Sequence, residues 1–229
     1  MLPVTICHNL SVINESIRSL EIRCSRPSHS VKLIAVSKKK SAEAIREAWH
    51  CGQKMFGESY AQEFQRKAES LADLAIEWHF IGPIQSNKTR LIAAHAHWVH
   101  SIDRLKIASR LAAQRPEGMP DMNVCIEVNI NNEPGKSGIP LDEVADLARA
   151  IDSLKNLRLR GLMCIPQHSA SKAAQHAAFS RLRSMMEQLN EGDFSLDTLS
   201  MGMSGDYPVA IEEGATMIRV GTAIFGERT

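Results

Sequence analysis

The 229-residue sequence has no apolar run approaching the ~18 residues that a membrane span needs. Residues 1–10 also lack the basic flank, long apolar core and small-residue cleavage site of a secretory signal. These two absences exclude a membrane partner at this level and point to a cytoplasmic protein. A surplus of one charge sign is missing too: 27 lysines and arginines stand against 26 acidic residues, for a formal charge of +1. Nothing supplies the basic surface that a phosphodiester backbone requires, so nucleic acid is excluded as a main partner. The five cysteines, Cys7, Cys24, Cys51, Cys125 and Cys164, are odd in number, widely spaced and never form a CxxC pair. They read as free, mostly buried thiols in a reducing compartment. Linkers, low-complexity segments and short repeats are absent, and the outer helices show no long heptad seam. The chain therefore reads as one domain over residues 1–229 and as a monomer.

What is present is an alternation. Ile6, Leu10, Ile13, Ile17 and Leu20 recur at spacings of three and four, one face of a leading helix over residues 6–24. Residues 31–36 are an apolar run ending in Ser37 and three lysines, Lys38, Lys39 and Lys40. Ser41, Glu43, Glu47 and Gly52 then carry the start and stop signals of a helix. The same strand-then-helix unit recurs, with strands expected at 54–57, 76–81, 98–102, 123–130, 157–165, 196–201 and 217–220. Helices are expected at 60–70, from 86, at 103–114, 141–154, 173–189 and 207–213, with a short turn at 222–226. Residues 33–36 and 124–130 are near-continuous apolar runs, as strands covered on both faces are. Eight such units predict an α/β fold, a single (β/α)8 TIM barrel with an extra N-terminal helix. The competing open sheet lacks its usual sign, a GxGxxG turn after the first strand.

A barrel places its site at the C-terminal ends of the strands, often with an anion site after strands seven and eight. Those loops here are Met201-Gly202-Met203-Ser204-Gly205-Asp206 and Gly221-Thr222, with glycines and hydroxyls suited to a phosphate. Strand eight closes onto strand one, which brings the lysines to the same rim. An amine beside a phosphate site admits two Schiff-base chemistries: a lysine aldolase, or a protein whose cofactor is pyridoxal 5'-phosphate. The residue pattern leaves both open. His95, His97 and His100 read as edge histidines rather than a metal site. Lys136 lacks the full GxxxxGK[ST] spacing. Trp49, Trp78, Trp98, Met185 and Met186 read as core packing.

Longer motifs narrow the choice. AVSK at 35–38, FGE at 56–58, WHFIGPIQSNK at 78–88, SID at 101–103, KSGI at 136–139, RGLM at 160–163, LSMGMSGD at 199–206 and EGATMIRVGTAIFG at 213–226 occur in order. With them the chain resembles, over nearly its whole length, the YggS/PROSC family of pyridoxal phosphate homeostasis proteins. The resemblance implies a barrel like the N-terminal domain of alanine racemase, without a second domain. It implies a Schiff base between pyridoxal 5'-phosphate and Lys38, the phosphate held by Ser204, Gly221 and Thr222, and Arg219 facing the pyridine nitrogen. It further implies intracellular cofactor holding and delivery to pyridoxal phosphate-dependent apo-enzymes with little or no turnover, the alternative being an amino-acid racemase or lyase. Two positions depart from the family pattern: Ser41 stands where proline is usual, and Ser59 where asparagine is.

Overall fold

A computed structural model describes residues 5–167 and 171–227. Residues 1–4 of the stretch read for a secretory signal lie outside that description. The chain forms a closed barrel of eight parallel strands in sequence order: β1 (Lys32–Val36), β2 (Met55–Glu58), β3 (Glu77–Phe80), β4 (Trp98–Ile102), β5 (Met122–Val128), β6 (Leu157–Cys164), β7 (Thr198–Ser200) and β8 (Met217–Val220). Closure is made by β8 pairing with β1, from Lys32 against Met217 to Ala35 against Val220. The helices are α1 (Ile6–Arg23), α2 (Ala42–His50), α3 (Ala61–Ser70), α4 (Thr89–His95), α5 (Leu105–Gln114), α6 (Val144–Asp152), α7 (Lys172–Asn190), α8 (Tyr207–Glu212) and α9 (Thr222–Phe225). The predicted (β/α)8 barrel with a leading helix is the observed fold. No described helix is long and apolar enough to cross a membrane.

Helix ends follow local chemistry. The Thr5 hydroxyl accepts the His8 N–H at the start of α1, whose buried face is Leu10, Ile13, Ile17 and Leu20. Ser41, the departure from proline, is the N-cap of α2 and accepts the Ala44 N–H at 3.2 Å. Gly52 follows α2 at φ +96°, a left-handed conformation that few other residues adopt cheaply. Several elements are shorter than their patterns suggested, and for two of them a side chain shows why. Residues 86–88 form a turn, with the Thr89 hydroxyl on the Ser86 carbonyl, so α4 starts at Thr89. The Leu196 N–H is taken by the Asn190 side chain at 2.7 Å, so β7 begins only at Thr198.

Strand alternation builds two cores. Leu33, Ala35, Phe56, Trp78, Phe80, Val99, Ile218 and Val220 face the helices in the larger one. Ile34, Trp98, Cys125, Met163 and Met217 fill the barrel interior. The free-thiol reading of all five cysteines is corrected here. Cys7 of α1 and Cys51 after α2 are joined by a disulfide, their Cα atoms 5.3 Å apart, while Cys24, Cys125 and Cys164 are free. The pair is 44 residues apart in sequence and met only because α1 packs on α2, so spacing gave no sign of it.

Candidate functional site

On β1, Ile34 faces the interior, Val36 lines a cavity at the C-terminal mouth, and Lys38 continues that inward series one step past the strand. The cavity is about 270 Å³, and among the residues lining it are Lys38, Ser59, Ser204, Arg219, Gly221 and Thr222. All five residues expected to hold a ligand therefore meet at one place, drawn from the turn after β1, from β8 and from the loops after β7 and β8. A larger groove, about 750 Å³, lies beside it between α1, α7 and α8 and shares Met203 and Gly205 with it. The smaller cavity holds the amine and the buried guanidinium, so it is the chemical site. Of the other two lysines, Lys39 is exposed at φ +61°, and the Lys40 ammonium also lines the cavity while donating to the Glu227 carbonyl at 2.7 Å.

The rim loops are held by the backbone. Gly202 sits at φ +95°, where a Cβ would come within 2.6 Å of Ala210. Asp206 accepts the Met203 N–H and so closes the loop that presents Ser204. Gly221 packs against β1 so closely that a Cβ there would meet the Val36 carbonyl at 3.1 Å, and α9 behind it is tied to α1 by Asn9 donating to the Ile224 carbonyl.

Arg219 is fully enclosed, 4% exposed, and donates to the Ser200 hydroxyl at 2.7 Å and the Cys164 carbonyl at 2.9 Å. Behind it a polar chain runs down the barrel: Ser200 Oγ lies 2.8 Å from His100 Nδ1, His100 Nε2 lies 2.9 Å from His79 Nδ1, and His79 Nε2 lies 3.4 Å from Glu77 Oε1. A guanidinium only donates. Ser200 Oγ therefore accepts from Arg219, and with its own O–H donated to His100 Nδ1 the chain runs in one consistent direction. His100 then carries its proton on Nε2 and donates to His79, whose Nε2–H faces the Glu77 carboxylate. Both imidazoles are neutral in this arrangement, and burial lowers the pKa of both, His100 further through His79 and Arg219. His100 is thus a core residue, not the edge histidine expected from HAHWVH. His97 instead accepts the Trp78 N–H, and His95 packs edge-on against Phe64.

Glu127 of β5 is 5% exposed, and burial, reinforced by Asp103 and opposed by Arg219 and Lys136, lifts its carboxyl to about 7. A carboxyl raised in the fold contributes its full stability below its unfolded pKa of ~4.3 and loses it as pH rises through the folded value. Glu127→Gln is therefore expected to match the parent near pH 4. Above pH 7 it should be more stable by about 3–4 kcal/mol, read by urea unfolding across that range.

Lys136 is ion-paired with Glu133 at 2.6 Å and does not line the cavity. Tyr60 is half exposed, and Tyr207 donates to Ser16 at 2.9 Å. Ser200, His100 and His79 were missed in the sequence because burial inside a barrel depends on strand parity, and HAHWVH straddles a helix end and a strand start.

The family model for the alanine racemase N-terminal domain matches residues 9–229. An alanine racemase from Corynebacterium glutamicum shares the fold at a TM-score of 0.66 and 18% identity, covering 97% of this chain and 60% of that one. The molecule is thus a lysine-bearing barrel of the alanine racemase N-terminal class. The pyridoxal phosphate homeostasis protein of Pseudomonas aeruginosa is 55% identical over 224 residues, 98% of this chain and 96% of that one. PipY of Synechococcus elongatus, solved with PLP (pyridoxal phosphate) bound, matches at a TM-score of 0.83 and 37% identity, over 97% of this chain and 100% of that one. The chain belongs to the family of pyridoxal phosphate homeostasis proteins.

Proposed function

We propose that this protein binds pyridoxal phosphate at the cavity described above, holds it on Lys38, and releases it to pyridoxal phosphate-dependent apo-enzymes. It does so as a single-domain monomer in the cytoplasm, with little or no turnover of its own. The observation that carries the reading is the convergence of Lys38, Arg219, Ser204, Gly221 and Thr222 on one cavity of about 270 Å³. The donor set fits the group. An amine stands at one wall and a buried cation at another, and a glycine-lined rim with two hydroxyls suits a phosphate.

When bound, pyridoxal phosphate supplies an aldehyde that condenses with an amine, with loss of water, and a ring that withdraws electrons. Lys38 is the amine. Arg219 would hold the pyridine nitrogen through its remaining N–H groups and would keep its own proton, being a donor that does not deprotonate. A ring held this way is a weaker electron sink than a protonated one. The described residues lining the cavity include no carboxylate, imidazole or phenol. A racemase needs an acid or base on each face of the substrate carbon, and only Lys38 and Lys40 are titratable donors here. Both features favour holding over catalysis.

The expected result on mixing the loaded protein with an apo-aminotransferase is recovery of aminotransferase activity and bleaching of the protein-bound absorbance. Racemisation or cleavage of amino acids from a panel at ordinary enzymatic rates, ~1 to 1,000 per second, would overturn the reading.

A further inference from the structure

Beneath the turn that carries Lys38 lies a buried cluster that the cavity does not touch. Glu58, the last residue of β2, is completely buried and points outward between the barrel and α3. Its Oε1 accepts from the Ser37 hydroxyl at 2.6 Å and from the Lys67 ammonium at 2.7 Å. Lys67, on α3 and only 7% exposed, spends its other two protons on the Ser37 carbonyl and on Glu63 Oε1, each at 2.7 Å. Glu63 Oε1 in turn accepts the Lys39 backbone N–H at 2.6 Å.

The pattern has a directional consequence. The Ser37 carbonyl belongs to the peptide group before Lys38, and the Lys39 N–H to the one after it. Both planes that define φ and ψ at residue 38 are therefore held, one by an ammonium and one by a carboxylate. With the planes held, the direction in which the Lys38 side chain leaves the backbone is held too. Lys39 sits at φ +61°, a conformation a non-glycine residue keeps only when its surroundings over-determine it. The Glu63 bond supplies that restraint. A buried lysine with three acceptors is also costly to assemble and would be replaceable by apolar packing if stability alone were at stake.

We propose that Glu58, Glu63 and Lys67 are positioning residues, an ionic clamp that aims the Lys38 amine into the cavity. The inference rests on Lys38 being the attachment residue. Charge-assisted bonds to both flanking peptides keep the amine near the geometry of attack, and a shift of an ångström there is costly to rate.

The test uses Glu63→Ala, which removes the Lys39 contact and one of the three Lys67 bonds while leaving the Lys67–Glu58 pair. Stopped-flow absorbance follows reaction with added pyridoxal phosphate, and borohydride trapping with peptide mapping locates the adduct. The variant is expected to melt within a few degrees of the parent and to react slower by on the order of tenfold, with part of the adduct displaced to Lys39, whose turn the lost bond no longer holds. Glu63→Gln, which keeps an acceptor oxygen, is expected to recover most of the rate. A merely structural role would lower the melting temperature without moving the adduct. Parental rate and an adduct confined to Lys38 in Glu63→Ala would overturn the clamp. If Glu63→Ala does not fold, Lys67→Arg carries the same readouts with the same two outcomes. An adduct found elsewhere than Lys38 in the parent protein would defeat the attachment reading instead, whatever Glu63 does.

Discussion

Lys38→Ala is expected to purify as a folded protein that shows no imine absorbance band, even after incubation with excess pyridoxal phosphate and removal of the unbound excess. The loss is complete rather than graded because a Schiff base needs a primary amine at the cavity wall. Lys40 also lines the cavity, but its ammonium is engaged with the Glu227 carbonyl. Lys39 is exposed and turned away by its left-handed backbone. Arg219 and the loop expected to hold the phosphate are untouched, so weak, non-covalent binding of the free aldehyde, without the imine band, is expected to persist. Lys38 is only partly buried and lies past the end of β1, so the fold should lose no more than about 0.5 kcal/mol. Spectra and thermal melts of the two proteins side by side check both halves. A variant that keeps the full absorbance would remove Lys38 from its role.

Lys67→Met is expected to cost about 3–5 kcal/mol of stability near neutral pH, because it strands a fully enclosed carboxylate. Glu58 Oε2 already has no partner, and without the ammonium its Oε1 keeps only the Ser37 hydroxyl. The pH dependence has a definite sign. Burial holds the Glu58 carboxyl above the ordinary carboxylate range, against the pull of Lys67 and Ser37. Removing Lys67 removes the larger part of that pull, so the folded pKa climbs further. A carboxyl raised in the fold is at no disadvantage below its unfolded pKa of ~4.3 and loses stability as pH rises through its folded value. The deficit of Lys67→Met should thus be smallest near pH 4 and grow toward neutrality. Urea unfolding at both ends of that range measures it, and an equal deficit at both would show that the ion pair is not its source.

The contrast between what was and was not legible in the sequence follows the range of each interaction. The barrel was legible because apolar runs, helix caps such as Ser41 and turn glycines such as Gly52 are local signals, and their order defines the topology. Closure of β8 onto β1 followed from the strand count and brought the Gly221 loop to the Lys38 turn. The cavity-lining residues expected to hold a ligand were named through their motifs. The residues behind them were not. His100 reads as part of a polar surface segment until strand parity turns it inward, and Lys67 reads as a solvated helix residue until α3 is docked over Ser37. The Cys7–Cys51 pairing depends on the packing of α1 against α2, which no spacing encodes.

Lys38 is the proposed attachment residue for the cofactor of this barrel. The most direct measurement is borohydride reduction of the pyridoxal phosphate-loaded protein, followed by proteolysis and mass mapping of every lysine-containing peptide. A single pyridoxyl adduct, on Lys38, is the expected result. An adduct confined to Lys40 or Lys136, or a loaded protein that borohydride leaves unmodified, would contradict it.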